Sequence, residues 1–260
     1  MATREDAQSL AQRIHALGGG AEVRRKAAAR ALAAVDATEA VELLQQLLEL
    51  RREGWEPARC AVAAAVSALA EDAQEIPHVE SLRRIAALQE LALVEHLFAE
   101  GPAAQQVDED SAARSDARLF SDSLGHLKSK ARLTRDPDEM MRLCASSNPA
   151  VVRQLLLNPR LTEAVVVRIA ARRPARPEPL IEIWRSTRWF ARHPVKRALI
   201  FNPYLPPEVG SKIVPLLTAA EWRALANDPA LHSAIRDQAR LLASRAAEPE
   251  TSPTPSGDRH

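Results

Sequence analysis

The sequence predicts an all-α protein, built as an α-solenoid of stacked helical hairpins. Three observations carry that expectation. First, Ala, Leu and Arg dominate the 260 residues and aromatics are only 3%. That bias favours helix, and no period-two strand pattern interrupts it. Second, one unit occurs twice between residues 147 and 217. Ser147–Ala170 reads S-N-P-A-V-V-R-Q-L-L-L-N-P-R-L-T-E-A-V-V-V-R-I-A, and Arg192–Val214 reads R-H-P-V-K-R-A-L-I-F-N-P-Y-L-P-P-E-V-G-S-K-I-V. Asn158-Pro159 and Leu161 recur as Asn202-Pro203 and Leu205 (202 − 158 = 44), whereas Asn148-Pro149 meets His193-Pro194 at 45, a one-residue slip. A repeat of this length fits a pair of helices. Third, Asp136-Pro137, Asn148-Pro149, Asn158-Pro159, His193-Pro194, Asn202-Pro203 and Asp228-Pro229 punctuate the C-terminal half. A polar side chain before Pro fits the residue that caps a helix, with Pro at the first helical position. The apolar runs between these signals suit helices of two to three turns, which need neighbours to be stable. Leu156 is expected to face the core.

The first hundred residues read as two or three helical hairpins. Residues 3–17 carry Leu10, Ile14 and Leu17 on one helical face, and Gly18-Gly19-Gly20 breaks that helix. The triplet is no phosphate loop, because no strand precedes it and no Gly-Lys-Ser/Thr follows. Residues 21–35 form a second helix. Asp36 or Thr38 caps a third, whose stripe is Val41, Leu44 and Leu48 and which Gly54 ends. Residues 57–70 are small and apolar nearly throughout, as in a helix buried on several sides. Pro77 opens a long helix to about Glu100. Residues 101–117 have almost no large apolar side chains and read as a flexible linker. The apolar pattern returns with Leu119, Phe120, Leu124, Leu127 and Leu133. A repeat domain over 118–245 follows, and a Pro/Ser/Thr-rich tail, 246–260, is expected to be disordered.

Net charge is +1, but it is unevenly spread. Residues 1–110 hold 19 acidic and 11 basic side chains, a balance of −8, and residues 151–245 hold 16 basic and 7 acidic, a balance of +9. The positive half suits an acidic partner or nucleic acid; it also suits docking on the chain's own negative half. The polar N-terminus carries no signal-peptide pattern, and no apolar run reaches membrane-spanning length. A cytoplasmic protein with no membrane partner is expected. Cys60 and Cys144 are far apart and make no metal or redox spacing.

Several segments carry a family resemblance. R-D-P-D-E-M-M-R-L-C-A-S-S-N-P, L-L-L-N-P-R-L-T-E-A-V-V-V-R-I-A and L-A-N-D-P-A-L-H-S-A-I-R-D-Q-A resemble bacterial HEAT-like and leucine-rich-repeat-variant proteins over about residues 133–244. The resemblance implies a right-handed superhelical stack that serves protein binding. The variant family is associated with an iron–sulfur cluster held by a cysteine group; the group is missing here, so no cofactor is carried over.

No local motif calls for catalysis. The seven histidines form no metal pair, and no Ser sits in a nucleophile context. Glu163 falls in a helix's first turn, where the dipole favours it. The stretch with mixed chemistry is 184–204, and six of the nine aromatics lie between Trp184 and Trp222. Its expected partner-binding residues are Arg185, Arg188, Trp189, Arg192, Lys196 and Arg197. The expectation is a non-enzymatic scaffold binding another protein, one with acidic character. The alternative is nucleic-acid binding, since interleaved rings and cations suit a phosphate groove with stacking platforms. Some DNA glycosylases are built from HEAT-like repeats and use Trp and Arg in this way, but no motif here matches theirs residue by residue. A third arrangement buries the rings between helix pairs and leaves the arginines along the outer face.

Overall fold

A computed structural model describes residues 2–71, 74, 76, 78–107 and 122–244. Pro77, Leu119, Phe120, most of the expected linker (108–117) and the expected tail fall outside the described residues. The described residues form helices joined by turns and irregular segments, with no strand.

Helices α1 (Arg4–Ala16), α2 (Gly20–Ala33), α3 (Ala37–Arg52) and α4 (Glu56–Glu71) build the N-terminal part. Thr3 and Asp6 cap α1 reciprocally, and Asp36 caps α3 by accepting from the Glu39 amide. Helix α4 packs against α1, α2 and α3 together. Its Ala58, Ala61, Ala64, Ala65 and Ala68 are buried, and such small side chains let three neighbours approach. Gly54, at φ +86°, ends α3 while the Trp55 amide donates to the Leu50 carbonyl. The expected long helix to Glu100 is instead broken into α5 (Val79–Leu88), α6 (Ala92–Glu95) and a 3₁₀ turn, His96–Phe98. Glu90 takes φ +55°, and the Leu91 amide donates back to Ala86. This is the same C-terminal motif as at Gly54, made without a glycine.

The C-terminal part comprises α7 (Leu124–Leu133), α8 (Pro137–Leu143), α9 (Pro149–Leu156), α10 (Glu163–Ala170), α11 (Pro177–Arg185), α12 (Thr187–Phe190), α13 (His193–Ile200) and α14 (Pro207–Ile213). A 3₁₀ turn, Val214–Leu216, then leads to α15 (Ala219–Ala226) and α16 (Ser233–Ala243). Helix α9 packs on α7 and α11, α13 on α10, and α15 on α16. Asp136 and Asn148 cap α8 and α9, each with Pro following.

Asn158 and Asn202 depart from that expectation. Neither starts a helix: α10 begins at Glu163 and α14 at Pro207. Both asparagines are buried at the turn that follows α9 or α13. Asn158 donates to the carbonyls of Ala131 and Thr134, and Asn202 to those of Ala170 and Arg172. Each thus fastens one helix end to an earlier one. His193 does not cap either. It is the first residue of α13, after Arg192, and its ring reaches Glu221. The slip therefore disappears: Asn148 and Arg192 both precede their helices, 44 residues apart, and Pro has moved from the first helical position to the second. Val151, Leu155 and Leu156 are buried like Val195, Leu199 and Ile200.

The described residues of the two parts share one core. Residues 101–107 lie against the C-terminal part, where the Gly101 amide donates to Glu208 at 2.9 Å and the Gln105 amide to Pro203 O at 3.0 Å. Arg51 donates to the Leu217 carbonyl and stacks over Trp222, and Arg52 donates to Leu241. Burial pulls Arg51 down to about 10, with the charge of Arg59 acting the same way. The joining cations thus come from the acidic half.

Candidate functional site

The repeat correspondence fixes what α13 should look like. At the 44-residue offset Lys196 takes the place of Val152, and Val152 is fully buried. Lys196 therefore stands at a core-type position of its helix. Its ammonium is half-buried, with a single long contact of 3.4 Å to the Ala191 carbonyl, and lies 5.4 Å from the Phe190 ring centre. Burial, then the nearby charge of Arg59, hold its pKa below the ordinary lysine value.

Lys196 lies in a groove of about 510 Å³ between α2 and α4 on one side and α11–α13 on the other. Trp184 and Phe190 give it an aromatic wall; their rings meet edge to face with centres 4.4 Å apart and planes at 75°. Arg59 lines it from α4, and Arg24 and Arg25 line it from α2. Glu22 and Glu71 also line it, and Arg25 holds them, at 2.7 Å and 3.4 Å. Cys60 borders the groove with its Sγ 3.4 Å from Nδ1 of His15.

The six residues expected to meet a partner divide. Trp189 is 2% exposed, and its indole N–H donates to the Leu156 carbonyl at 2.8 Å. It is a junction residue between helices, which corrects its reading as a contact or stacking platform; large rings gain most from burial when the N–H finds a partner. Arg188 lies over the outer side of its ring at 4.4 Å, and Arg192 at 5.4 Å. Arg192 pairs with Glu163 at 2.9 Å, Arg185 faces Glu182 at 3.7 Å, and Arg197 faces Glu221 at 3.7 Å. These arginines form an ion-paired outer face. Of the six, Lys196 alone lines the groove.

Glu221 gathers several of these contacts. Burial pushes its carboxyl up, but hydrogen bonds from Thr218 and the adjacent His193 outweigh that and hold it below the usual glutamate value. Sequence reasoning missed Arg59, Cys60 and the other groove residues of α2 and α4, because nothing local in the sequence ties them to α13. The contrast of Lys196 with Val152 was the available signal.

Among the described residues, no group of three or more His, Cys, Asp and Glu side chains is placed to hold a metal ion, and no helix is long and apolar enough to cross a membrane. Helical packing and an aromatic, cationic groove define a class of fold and site without naming a reaction. No protein-family model matches the chain, and no curated protein or solved structure matches it either.

Proposed function

We propose that the chain is a non-enzymatic scaffold or adaptor of the HEAT-like kind, its hairpins stacked as a right-handed α-solenoid, and that it binds another protein. The observation that carries this reading is the groove between α4 and α13. It is concave, walled by Trp184 and Phe190, and holds a lysine where the sister repeat has a core valine. Recessed surface that sets aromatic rings beside cations is where binding energy concentrates at protein interfaces. The test is photocrosslinking from position 67 of the full chain, a serine on the groove wall, against crosslinking from the exposed position 88 on α5. Specific protein adducts from position 67 alone support the reading; equal adducts from both positions, or none, count against it.

Nucleic-acid binding is the second reading, and it moves to a different place. A cleft of about 480 Å³ near the ends of α7 and α9 is lined by Arg132, Arg135 and Arg160 and by no carboxylate. Arg132 caps the Leu157 carbonyl, which leaves Arg135 and Arg160 directed at a ligand in this reading. Such a cleft suits phosphates. Fluorescence anisotropy with single-stranded DNA and RNA at low salt tests it: binding lost in the Arg135→Glu, Arg160→Glu double variant supports it, and no binding by the wild type ends it.

A further inference from the structure

We infer that the groove between α4 and α13 receives a short acidic segment of a partner protein, one carboxylate seated between Lys196 and Arg59 and a neighbouring apolar side chain set against Trp184 and Phe190. The inference rests on the scaffold reading and names its ligand. Three observations support it, the first being position. In the sister repeat the same helical site carries a fully buried valine, so the fold needs no charge there. A lysine at a core-type site breaks the local rule, and such breaks collect at functional sites.

The second is missing counter-charge. Among the described residues, Arg188, Arg192 and Arg197 have carboxylates or ring faces as partners, whereas Lys196 meets a backbone carbonyl and the Phe190 ring but no carboxylate. Arg59, whose charge acts on Lys196, is a like charge that also faces Glu56 at the surface. A half-buried ammonium beside a second cation is stabilised by an incoming carboxylate more than an exposed lysine would be, because the surrounding medium screens less.

The third is the rest of the wall. Trp184 and Phe190 offer apolar and aromatic surface next to the cations, the combination that anchors interface hot spots. Glu22 and Glu71 line the same groove. They oppose a polyanion, whose phosphates would pass close to them, and tolerate a segment with one carboxylate among neutral residues. That asymmetry selects a peptide over a nucleic acid.

The experiment is a selection of random decapeptides displayed against the full chain, followed by affinity measurements on the enriched peptides. The expected peptides carry Asp or Glu close to a bulky apolar residue. Their Kd should rise about tenfold or more in Lys196→Glu and in Lys196→Met, and stay within about twofold in Lys128→Glu, an exposed residue of α7 that does not line the groove. Reselection on Lys196→Glu should replace the acidic residue with Lys or Arg. Lys196→Met keeps the test meaningful should the reversed charge unfold the groove. Enriched peptides that bind both Lys196 variants as they bind the wild type overturn the groove assignment while leaving a scaffold. Displacement of the peptides from the groove by oligo-dT overturns the choice of a peptide occupant. Failure to enrich any peptide overturns the groove assignment and the scaffold reading together.

Discussion

Asn158 and Asn202 make the same three hydrogen bonds, one repeat apart. Each amide donates to two carbonyls at the end of an earlier helix, at 3.0 and 3.1 Å for Asn158 and 2.7 and 3.0 Å for Asn202. Each side-chain oxygen accepts the amide two residues on, Arg160 at 2.9 Å and Tyr204 at 3.1 Å. Removing either side chain leaves buried carbonyls without donors. Asn158→Ala and Asn202→Ala should each cost about 2–4 kcal/mol in urea unfolding. Asp at either site should do no better, since a carboxylate cannot donate. Losses under about 1 kcal/mol would mean water replaces the amide freely.

The junction between α9 and α12 is set by one indole. Trp189→Phe keeps most of the ring and drops the bond to Leu156 O, so it should cost about 1–3 kcal/mol, while Trp189→Ala should cost about 3–5 kcal/mol. Leu156, 4% exposed, should cost about 2–5 kcal/mol as Ala. A Trp189→Ala protein with an unchanged melting midpoint would show the ring outside the core.

Val152 and Lys196 predict opposite responses to exchange. Val152→Lys places a charge at a fully buried site with no partner and should cost at least about 3 kcal/mol or prevent folding. Soluble, equally stable Val152→Lys protein would contradict the correspondence between the two helices.

Glu221 makes acid stability testable. Its pKa is held below the ordinary 4.5, so its contribution is complete above that value and is lost as pH falls through the lower folded value. The stability gap between wild type and Glu221→Gln should therefore be widest near neutrality and close in acid below about pH 4. A gap that stays constant down to pH 3 would assign the effect to shape alone.

Much of the fold was legible because its signals are local. Pro after Asp136 and Asn148, Gly54 at a helix end, and the alanines of α4 each act within a turn or on one helix. What failed was non-local. Asn158 and Asn202 looked like caps, yet their bonds reach Ala131 and Ala170, 27 and 32 residues back. Glu90 ended α5 in a conformation that glycine usually signals, so the break stayed hidden. For the site, interleaved rings and cations read alike whether the rings face out or in. Two of the carboxylates that decide the matter, Glu163 and Glu221, come from other helices. Lys196 was named for its charge, whereas its place in the repeat is what singles it out, and the α4 wall opposite it left no mark near it in sequence.

Lys196 sits at a core position where the fold alone would prefer an apolar residue. The direct measurement is the urea unfolding free energy of Lys196→Met at neutral pH. Met keeps the length and helix preference while removing the charge. The variant should be about 1–2 kcal/mol more stable than the wild type, as burial of apolar surface replaces a half-desolvated ammonium. A less stable variant would contradict this, making the lysine a structural support of the groove.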